Sequence, residues 1–272
     1  MPQIINTNVQ SLNSQRALDT SQTALFTALQ RLSSGLRINS SKDDAAGIAV
    51  AEKMNSQSRG MTVAMRNAND GISLAQTAEA GMNIVSQHLQ RMRELTVQSA
   101  SGQWDSANRA ALNTEFQQLA SEINRVVSAT NFNGQQLLTG NFSGGVTFQV
   151  GANSTQDARV DVSIAALSVS FGAISGSTGT EALNQLSALD KMIDTINENR
   201  ASLGAIQNRF EGIVAQLSAA RENTEAARSR ITDADYAAET ANMSRAQILQ
   251  QAGVAMVAQA NALPQNVLSL LR

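Results

Sequence analysis

Few side chains in this 272-residue chain are of the types that perform acid–base, nucleophilic or metal chemistry. Asp43 and Asp44 are adjacent, His88 is the single histidine, and cysteine is absent. Metal sites of the HExxH type need two histidines, and thiolate sites and disulfides need cysteine. The two aspartates are better explained as caps, because Asp accepts hydrogen bonds from free amides at a helix start. The sequence therefore predicts no enzyme activity, no metal and no cofactor.

The composition disfavours nucleic acid as a partner and favours closely packed helices. The formal net charge is −2, and basic residues do not cluster with aromatic ones. Charged residues make up 15% of the chain, against roughly 25% in an average soluble domain. Aromatic residues make up only 3%, so few large side chains are available to anchor a globular core.

Helix-breaking residues are rare along the chain. The two prolines, Pro2 and Pro264, lie close to the ends, so the strongest helix breaker is absent between them. A first helix is predicted to end at Gly35. Ser41 followed by Asp44 fits a capping box at the start of the second helix.

Apolar residues then recur at spacings of three and four, which predicts packed helical seams. The second helix carries such a seam at Ala75, Ala78, Met82, Val85, Leu89, Met92 and Thr96, and the third at Leu112, Phe116, Leu119, Ile123 and Val126. A later helix of roughly 45 residues would be about 70 Å long. A compact domain of this chain length would be only about 50 Å across, so the helices are expected to form a rod.

Residues 131–180 are rich in Gly, Ser, Thr and Asn and contain the β-like part of the chain. Two alternating apolar runs predict a small β-hairpin: Val146, Phe148 and Val150, then Val160, Val162 and Ile164. The predicted fold is mainly α, an elongated antiparallel helical rod with a small β-hairpin region and a coiled-coil segment made by both termini. The predicted domains are 1–44 and 231–272, which pair as the terminal coil, and the rod at 45–230.

The C-terminal tail has no charged side chain from Ala246 to Leu271. Its heptad line is Leu249, Met256, Leu263 and Leu270, and the N-terminal helix has Leu18, Leu25 and Leu32 on the same period. Seven amides interrupt the tail, which argues against a bilayer span, and no Lys/Arg-rich face suits a membrane surface. A two-helix coil covers one side of each helix, so we expect further copies of the chain to cover the others.

Long stretches of the chain resemble bacterial flagellin, the subunit of the flagellar filament. They begin with INTNVQSLNSQRAL, LQRLSSGLRINSSKDDAAGIAVAEKM and RNANDGISLAQTAEAGMN, and continue with LQRMREL, NFNGQQLL and QVGAN. The closing stretch is SRITDADYAAETANMSRAQILQQAGVAMVAQANALPQNVLSLLR. Together these motifs cover nearly everything outside residues 140–180.

The resemblance implies a filament subunit whose terminal coil lines the inner tube, in a short form without large outer domains. It implies secretion to the extracellular flagellum through the flagellar type III export apparatus, with an export chaperone at the C-terminal segment. It also implies polymerisation beneath the filament cap, next to hook-junction proteins. This route fits the start of the chain, which has no recognisable secretory signal.

The resemblance further implies recognition by the animal Toll-like flagellin receptor. In flagellins that this receptor binds, the matching positions here are Gln90, Arg91 and Leu95, with Glu115 on the next helix. Arg91 and Glu115 could instead be polar residues that pack against neighbouring subunits. A hook–filament junction protein, which shares terminal coils with flagellin, is the alternative within the flagellum, and a lipid-binding helical protein is the alternative on composition alone.

Overall fold

The computed structural model describes residues 7–153, 158–168, 170–176 and 180–269, with side chains in the last range as far as Ala262. In these ranges the helices are α1 (Val9–Ser34), α2 (Ala45–Ala100), α3 (Ser106–Ala129), α4 (Thr180–Thr232) and α5 (Tyr236–Ser269). The strands are β1 (Asn131–Phe132), β2 (Gln135–Gln136), β3 (Val146–Gln149) and β4 (Arg159–Val162). The predicted mainly α fold with a β-hairpin region is confirmed.

The chain divides into two compact units. The terminal unit contains the residues up to Ser56 together with those from Asn223 onward, and the central unit is Gln57–Glu222. The sequence placed the limits of the terminal coil at 44 and 231, and these functional limits stay a prediction.

The core of the central unit lies along α2, where the predicted seam from Ala75 to Thr96 is completely buried. The third-helix stripe is confirmed as well, since Phe116 and Ile123 are fully buried in the same core. α4 runs antiparallel to α2, because Arg93 pairs with Asp190 near the start of α4 and Glu79 bonds Gln207 further along.

A buried arginine joins the α2–α3 turn to the segment before α4. The Arg109 guanidinium donates to the carbonyl oxygens of Ser99 at 3.0 Å, Ser101 at 3.2 Å and Gly176 at 3.1 Å. The bonds to Ser99 and Ser101 satisfy backbone acceptors at the end of α2, where a helix leaves carbonyl groups free, and the bond to Gly176 attaches the segment before α4. The burial of Arg109 could not be predicted from the sequence, because nothing in the local pattern around it marks it as buried.

The connection between α1 and α2 follows the predicted helix stop but not the predicted cap. Gly35 ends α1 in the left-handed conformation at φ 72°, and its N–H bonds the Arg31 carbonyl. Asp44 directly precedes α2 and its Oδ1 accepts from the Gly47 N–H at 2.8 Å. The capping box with Ser41 as N-cap is therefore wrong by three residues, because Asp44 itself is the N-cap.

Two antiparallel hairpins follow α3. Asn133 and Gly134 have φ values of 49° and 78° between β1 and β2, which is the backbone of a tight hairpin turn. β3 pairs with β4 from Val146 opposite Val162 to Gln149 opposite Arg159, as the alternating runs predicted.

Candidate assembly surface and recognition surface

α1 and α5 form an antiparallel pair within the terminal unit. At one end the Asn8 side-chain amide donates to the Ala260 carbonyl at 2.7 Å, and at the other Arg31 pairs with Glu239 at 2.9 Å. Beyond the helices, the Arg37 N–H continues the pairing by donating to the Thr232 carbonyl at 2.7 Å. The expectation that the two ends of the chain pair in space is met by these contacts.

The residues at the interface of α1 and α5 recur along each helix at alternating spacings of three and four, as in a coiled coil. We call this set the terminal seam. It consists of Ser11, Ser14, Leu18, Ser21, Leu25, Ala28 and Leu32 on α1, and of Glu239, Met243, Ala246, Gln250, Gly253, Val257 and Ala260 on α5, all buried or half-buried. Small and polar side chains make up most of it, so the seam buries little apolar surface.

The predicted leucine lines are placed differently on the two helices. Leu18, Leu25 and Leu32 lie in the terminal seam as predicted, whereas Leu249 and Met256 are 52% and 59% exposed. The prediction that the tail line packs against α1 is therefore wrong for these two residues. Small residues allow the helices to approach closely, and on α5 the line facing α1 is Ala246, Gly253 and Ala260.

Leu249 and Met256 instead border open grooves beside the seam, with volumes of about 320 and 310 Å³ respectively. Leu263 falls where only the backbone is described, and Leu270 lies outside the described residues. The role of the seven seam candidates in polymerisation stays a prediction.

The α1–α5 pair exposes an unusual number of large apolar side chains. Besides Tyr236 at the start of α5, they are Val9, Leu12, Phe26 and Leu29 on α1, and Ile248, Leu249, Val254 and Met256 on α5. Phe26 is the extreme case, with 74% of its surface accessible. Val9 with Leu12 and Phe26 with Leu29 are i, i+3 neighbours on α1, and clustered exposed apolar side chains mark an interaction site on a folded protein. We call these eight residues the exposed apolar set.

The candidate recognition surface lies on α2 and α3. Arg91 Nε donates to Glu115 at 2.9 Å, and Arg91 Nη1 donates to Glu94 at 3.0 Å, with all three side chains exposed. The hydrogen bond to Glu115, followed by that to Glu94, raises the pKa of Arg91 above its ordinary value. Gln90 is exposed beside Arg91. The structure thus places three of the four candidates, Gln90, Arg91 and Glu115, at the surface.

Leu95, the fourth candidate, is a correction. It is completely buried in the core of the central unit, so it offers no surface to a receptor. The apolar stripe of α2 is wider than a two-helix seam at this point, because Leu95 and Thr96 are both buried. The seam predicted from the sequence passes through Met92 and Thr96 and does not include Leu95, so the burial of Leu95 was not expected.

Among the described residues, no group of three or more His, Cys, Asp or Glu side chains is placed to hold a metal ion. In the part of the chain that the structure describes, no helix combines the length and the hydropathy that a transmembrane segment requires.

Comparison with known families decides how this architecture is classified. A family model described as the bacterial flagellin N-terminal helical region matches residues 5–143, and one described as the C-terminal helical region matches residues 186–271. The chain belongs to the bacterial flagellin family. A flagellin of Halalkalibacterium halodurans is 45% identical over 272 residues, covering 99% of this chain and 100% of its own. Because that relative aligns over its whole length, this is a short-form flagellin.

Solved structures share the fold. A Bacillus cereus flagellin structure matches with a TM-score of 0.50 and 26% identity, covering 56% of this chain and 88% of its own. A putative flagellar hook-associated protein from Vibrio parahaemolyticus matches with a TM-score of 0.60, covering 70% of this chain and 100% of its own. Its 15% identity shows the fold alone. As a flagellin, the chain is a structural subunit of the extracellular flagellar filament and not an enzyme.

Proposed function

We propose that the α1–α5 pair is the surface through which this flagellin polymerises, and that its helices become stably ordered only when neighbouring copies cover them. The proposal includes the seam candidates Leu18, Leu25, Leu32, Leu249, Met256, Leu263 and Leu270. The observation that carries it is the exposed apolar set on a helix pair that is almost free of charge. A large apolar side chain contributes about 1.5–3 kcal/mol when it is fully buried, so covering this set supplies a strong driving force.

The energetics of the isolated pair support coupled folding and assembly. Ordering a residue costs about 1–2 kcal/mol of backbone entropy, and α1 and α5 span 26 and 34 residues. The terminal seam offers small side chains such as Ser21, Ala28 and Ala246 in return. Helices gain most of their stability from tertiary packing, so an uncovered pair is marginal.

The test replaces two exposed residues of α5 with polar ones. In L249S/M256S we expect the critical concentration for polymerisation to rise about tenfold or more, which corresponds to about 1.4 kcal/mol lost per subunit. Sedimentation of assembled material and electron microscopy of the pellet measure it. The matched control is Leu183→Ser on α4, an equally exposed leucine of the central unit. Equal losses in the two variants would contradict the assignment of assembly to the terminal pair.

The same α1–α5 surface is available to the proteins that export the subunit and cap the filament. We propose that a flagellin export chaperone covers the exposed apolar residues of α5 before secretion through the type III export apparatus, and that cap and hook-junction proteins meet the same helices in the growing filament. Co-purification of the chaperone with the wild-type chain, and its loss in L249S/M256S, would support this. Equal chaperone recovery with both chains would contradict it.

A hook–filament junction role is the second candidate, favoured by the likeness in fold to the hook-associated structure. The two roles differ in what the purified chain does alone. A filament subunit forms long tubes when salted out without other flagellar proteins. A junction protein forms at most short assemblies, so electron micrographs of that preparation distinguish the two.

We further propose that the monomer is recognised by the animal Toll-like flagellin receptor through Gln90, Arg91 and Glu115. The exposed ion pair between Arg91 and Glu115 supports this, since it holds a charged, planar group in a defined orientation. Leu95 would act only from beneath the surface, by packing.

We expect Arg91→Ala to weaken receptor binding by about tenfold or more, as for a central interface arginine. Binding of the purified monomer to the receptor ectodomain measures this effect. The control is Arg125→Ala, which removes a comparably exposed arginine paired with Glu122 on α3. An unchanged affinity in Arg91→Ala would contradict the proposal.

A further inference from the structure

The terminal seam does not specify its own register by shape. Its α5 residues repeat as small side chains seven residues apart at Ala246, Gly253 and Ala260, and Gly253 lies against Leu18 of α1. Sliding one helix by a heptad, about 10.5 Å along the axis, brings a small side chain opposite Leu18 again, with Ala246 in the place of Gly253. Packing alone therefore distinguishes poorly between the observed pairing and a pairing shifted by seven residues.

Several polar contacts of the pair are not repeated along it. At one end Asn8 donates to the Ala260 carbonyl and the Ser11 hydroxyl donates to the Asn261 amide oxygen, and just past the other end backbone bonds join the α1–α2 connection to Thr232 and Ala234. The contact that costs most to break is an ion pair. Arg31 Nη1 donates to Glu239 Oε1 at 2.9 Å, and the side chains are 30% and 10% exposed respectively. Glu239 occupies a seam position and is a buried carboxylate. α1 carries only two other charged residues, Arg16 and Asp19, and both are exposed outside the seam.

A heptad slip would separate this pair. Glu239 would then lie opposite Ala24, because a slip in the other direction would carry it past the end of α1 at Ser34. A buried carboxylate that loses its cation is strongly disfavoured, whereas a buried ion pair adds little net stability. A single buried polar contact that sets register is also a known device of coiled coils.

We propose that Arg31 and Glu239 are the residues that determine the register of the terminal coil when it forms. This inference rests on the proposed role of the α1–α5 pair in assembly. A slip would displace the exposed residues of α1 against those of α5 by about 10.5 Å, so it would change the surface offered to the next subunit. The ion pair thus selects the assembly-competent surface.

The chain contains no cysteine, so an engineered cysteine pair can form only the intended disulfide within one chain. Such pairs therefore measure the register of α1 against α5. A Cβ built at Gly253 lies 3.6 Å from the Leu18 Cβ, which is within the range of a disulfide. L18C/G253C therefore reports the observed register. L18C/A246C reports the slipped register, because Ala246 lies one heptad before Gly253 and is out of reach of Leu18 in the observed pairing.

Both reporters are introduced into the otherwise wild-type chain, into Arg31→Glu and into the charge-swapped R31E/E239R. The chains are polymerised under reducing conditions and then oxidised, and the intrachain cross-link is quantified on non-reducing gels. We expect only the L18C/G253C link in the wild-type background. In Arg31→Glu we expect about a tenfold rise in the yield of the L18C/A246C link relative to the L18C/G253C link, and the charge swap should restore the wild-type pattern. The control is Arg16→Glu, the same charge change outside the seam.

Each outcome decides the matter. An unchanged L18C/G253C link with no L18C/A246C link in Arg31→Glu would overturn the register role. If Arg31→Glu does not assemble, the charge swap decides: assembly with the L18C/G253C link supports the proposal, and failure to assemble contradicts it. If wild-type filaments give no L18C/G253C link, the α1–α5 pair does not form on assembly, and the proposed function fails independently of the ion pair.

Discussion

At the scale of single residues, polar side chains of this chain hold backbone segments rather than perform chemistry. The Asp43 carboxylate accepts from the N–H groups of Asn39 and Ser40 at 3.1 and 3.0 Å, and from the Ser40 hydroxyl at 3.2 Å. Asp44 caps α2 in the neighbouring position. The adjacent aspartates thus hold the connection between α1 and α2.

The Asp43 bonds predict a local pH dependence. The backbone hydrogen bonds from Asn39 and then Ser40 lower the pKa of Asp43 below its ordinary value of 3.8. A lowered pKa means that the stabilisation of this turn is complete above about pH 3.8 and is lost as the pH falls through the lowered pKa. The amide resonances of Asn39 and Ser40, followed by NMR during acid titration, should move with a midpoint below 3.8.

Asp43→Asn is the control for that titration. It removes the ionisable group while keeping an acceptor oxygen, so the acid-dependent movement of both amide resonances should disappear. A wild-type midpoint at or above the ordinary value, or an unchanged titration in the variant, would contradict the assigned role.

At the scale of elements, close approach between helices depends on glycine at particular points. In the central unit, a Cβ at Gly71 on α2 would lie 2.7 Å from Cζ and 2.8 Å from Cε2 of the Phe210 ring on α4. That ring is fully buried and stacks edge-on with Phe148, with centroids 5.7 Å apart. The ring therefore has little freedom to move aside.

We expect Gly71→Ala to destabilise the chain by about 1–3 kcal/mol through overpacking. Urea denaturation followed by circular dichroism measures the change. Gly212→Ala on the exposed side of α4 is the control, because a Cβ there meets nothing within 4 Å. This control should instead gain about 0.5–1 kcal/mol from helix propensity. A Gly71→Ala variant as stable as Gly212→Ala would show that α2 and α4 are not packed in the observed way.

The sequence was most informative where large apolar side chains mark the seam. The α2 seam from Ala75 to Thr96 is found as predicted, since burial of Met82 or Leu89 outweighs other preferences. For α5 the sequence predicted that Leu249 and Met256 face α1, but the structure exposes both. The residues that face α1 are alanine and glycine on the same seven-residue period, and these small side chains give a weaker hydrophobic signal. Pairing by Arg31 and Glu239, 208 residues apart in the chain, has no local signature.

The burial of the proposed receptor-binding residues could not be predicted from the sequence. Gln90, Arg91 and Glu115 were named from a family motif and lie at the surface, but the motif gives no information on burial. Leu95 belongs to the same motif and is in the core. Its burial follows from the position of the other helices against α2, which the spacing of one helix cannot provide.

At the scale of the whole molecule, the two units differ in how much of their stability they carry themselves. The central unit has a continuous core of large buried side chains, including Phe116, Leu189 and Phe210. The terminal unit pairs its helices through small residues and leaves large apolar residues such as Phe26 and Ile248 exposed. We therefore expect the central unit to stay folded in the monomer, while α1 and α5 gain stable order only in the filament.

Limited trypsin digestion of monomer and filament tests this central expectation most directly. Arg16 on α1 and Arg245 on α5 are exposed cleavage sites, and Arg125 on α3 is an exposed internal control in the central unit. In the monomer, cleavage at Arg16 and Arg245 should be at least about tenfold faster than at Arg125, because proteolysis follows the population of the open form. In the filament, both terminal sites should be protected. Equal cleavage rates at Arg16 and Arg245 in monomer and filament would contradict the coupling of terminal folding to assembly.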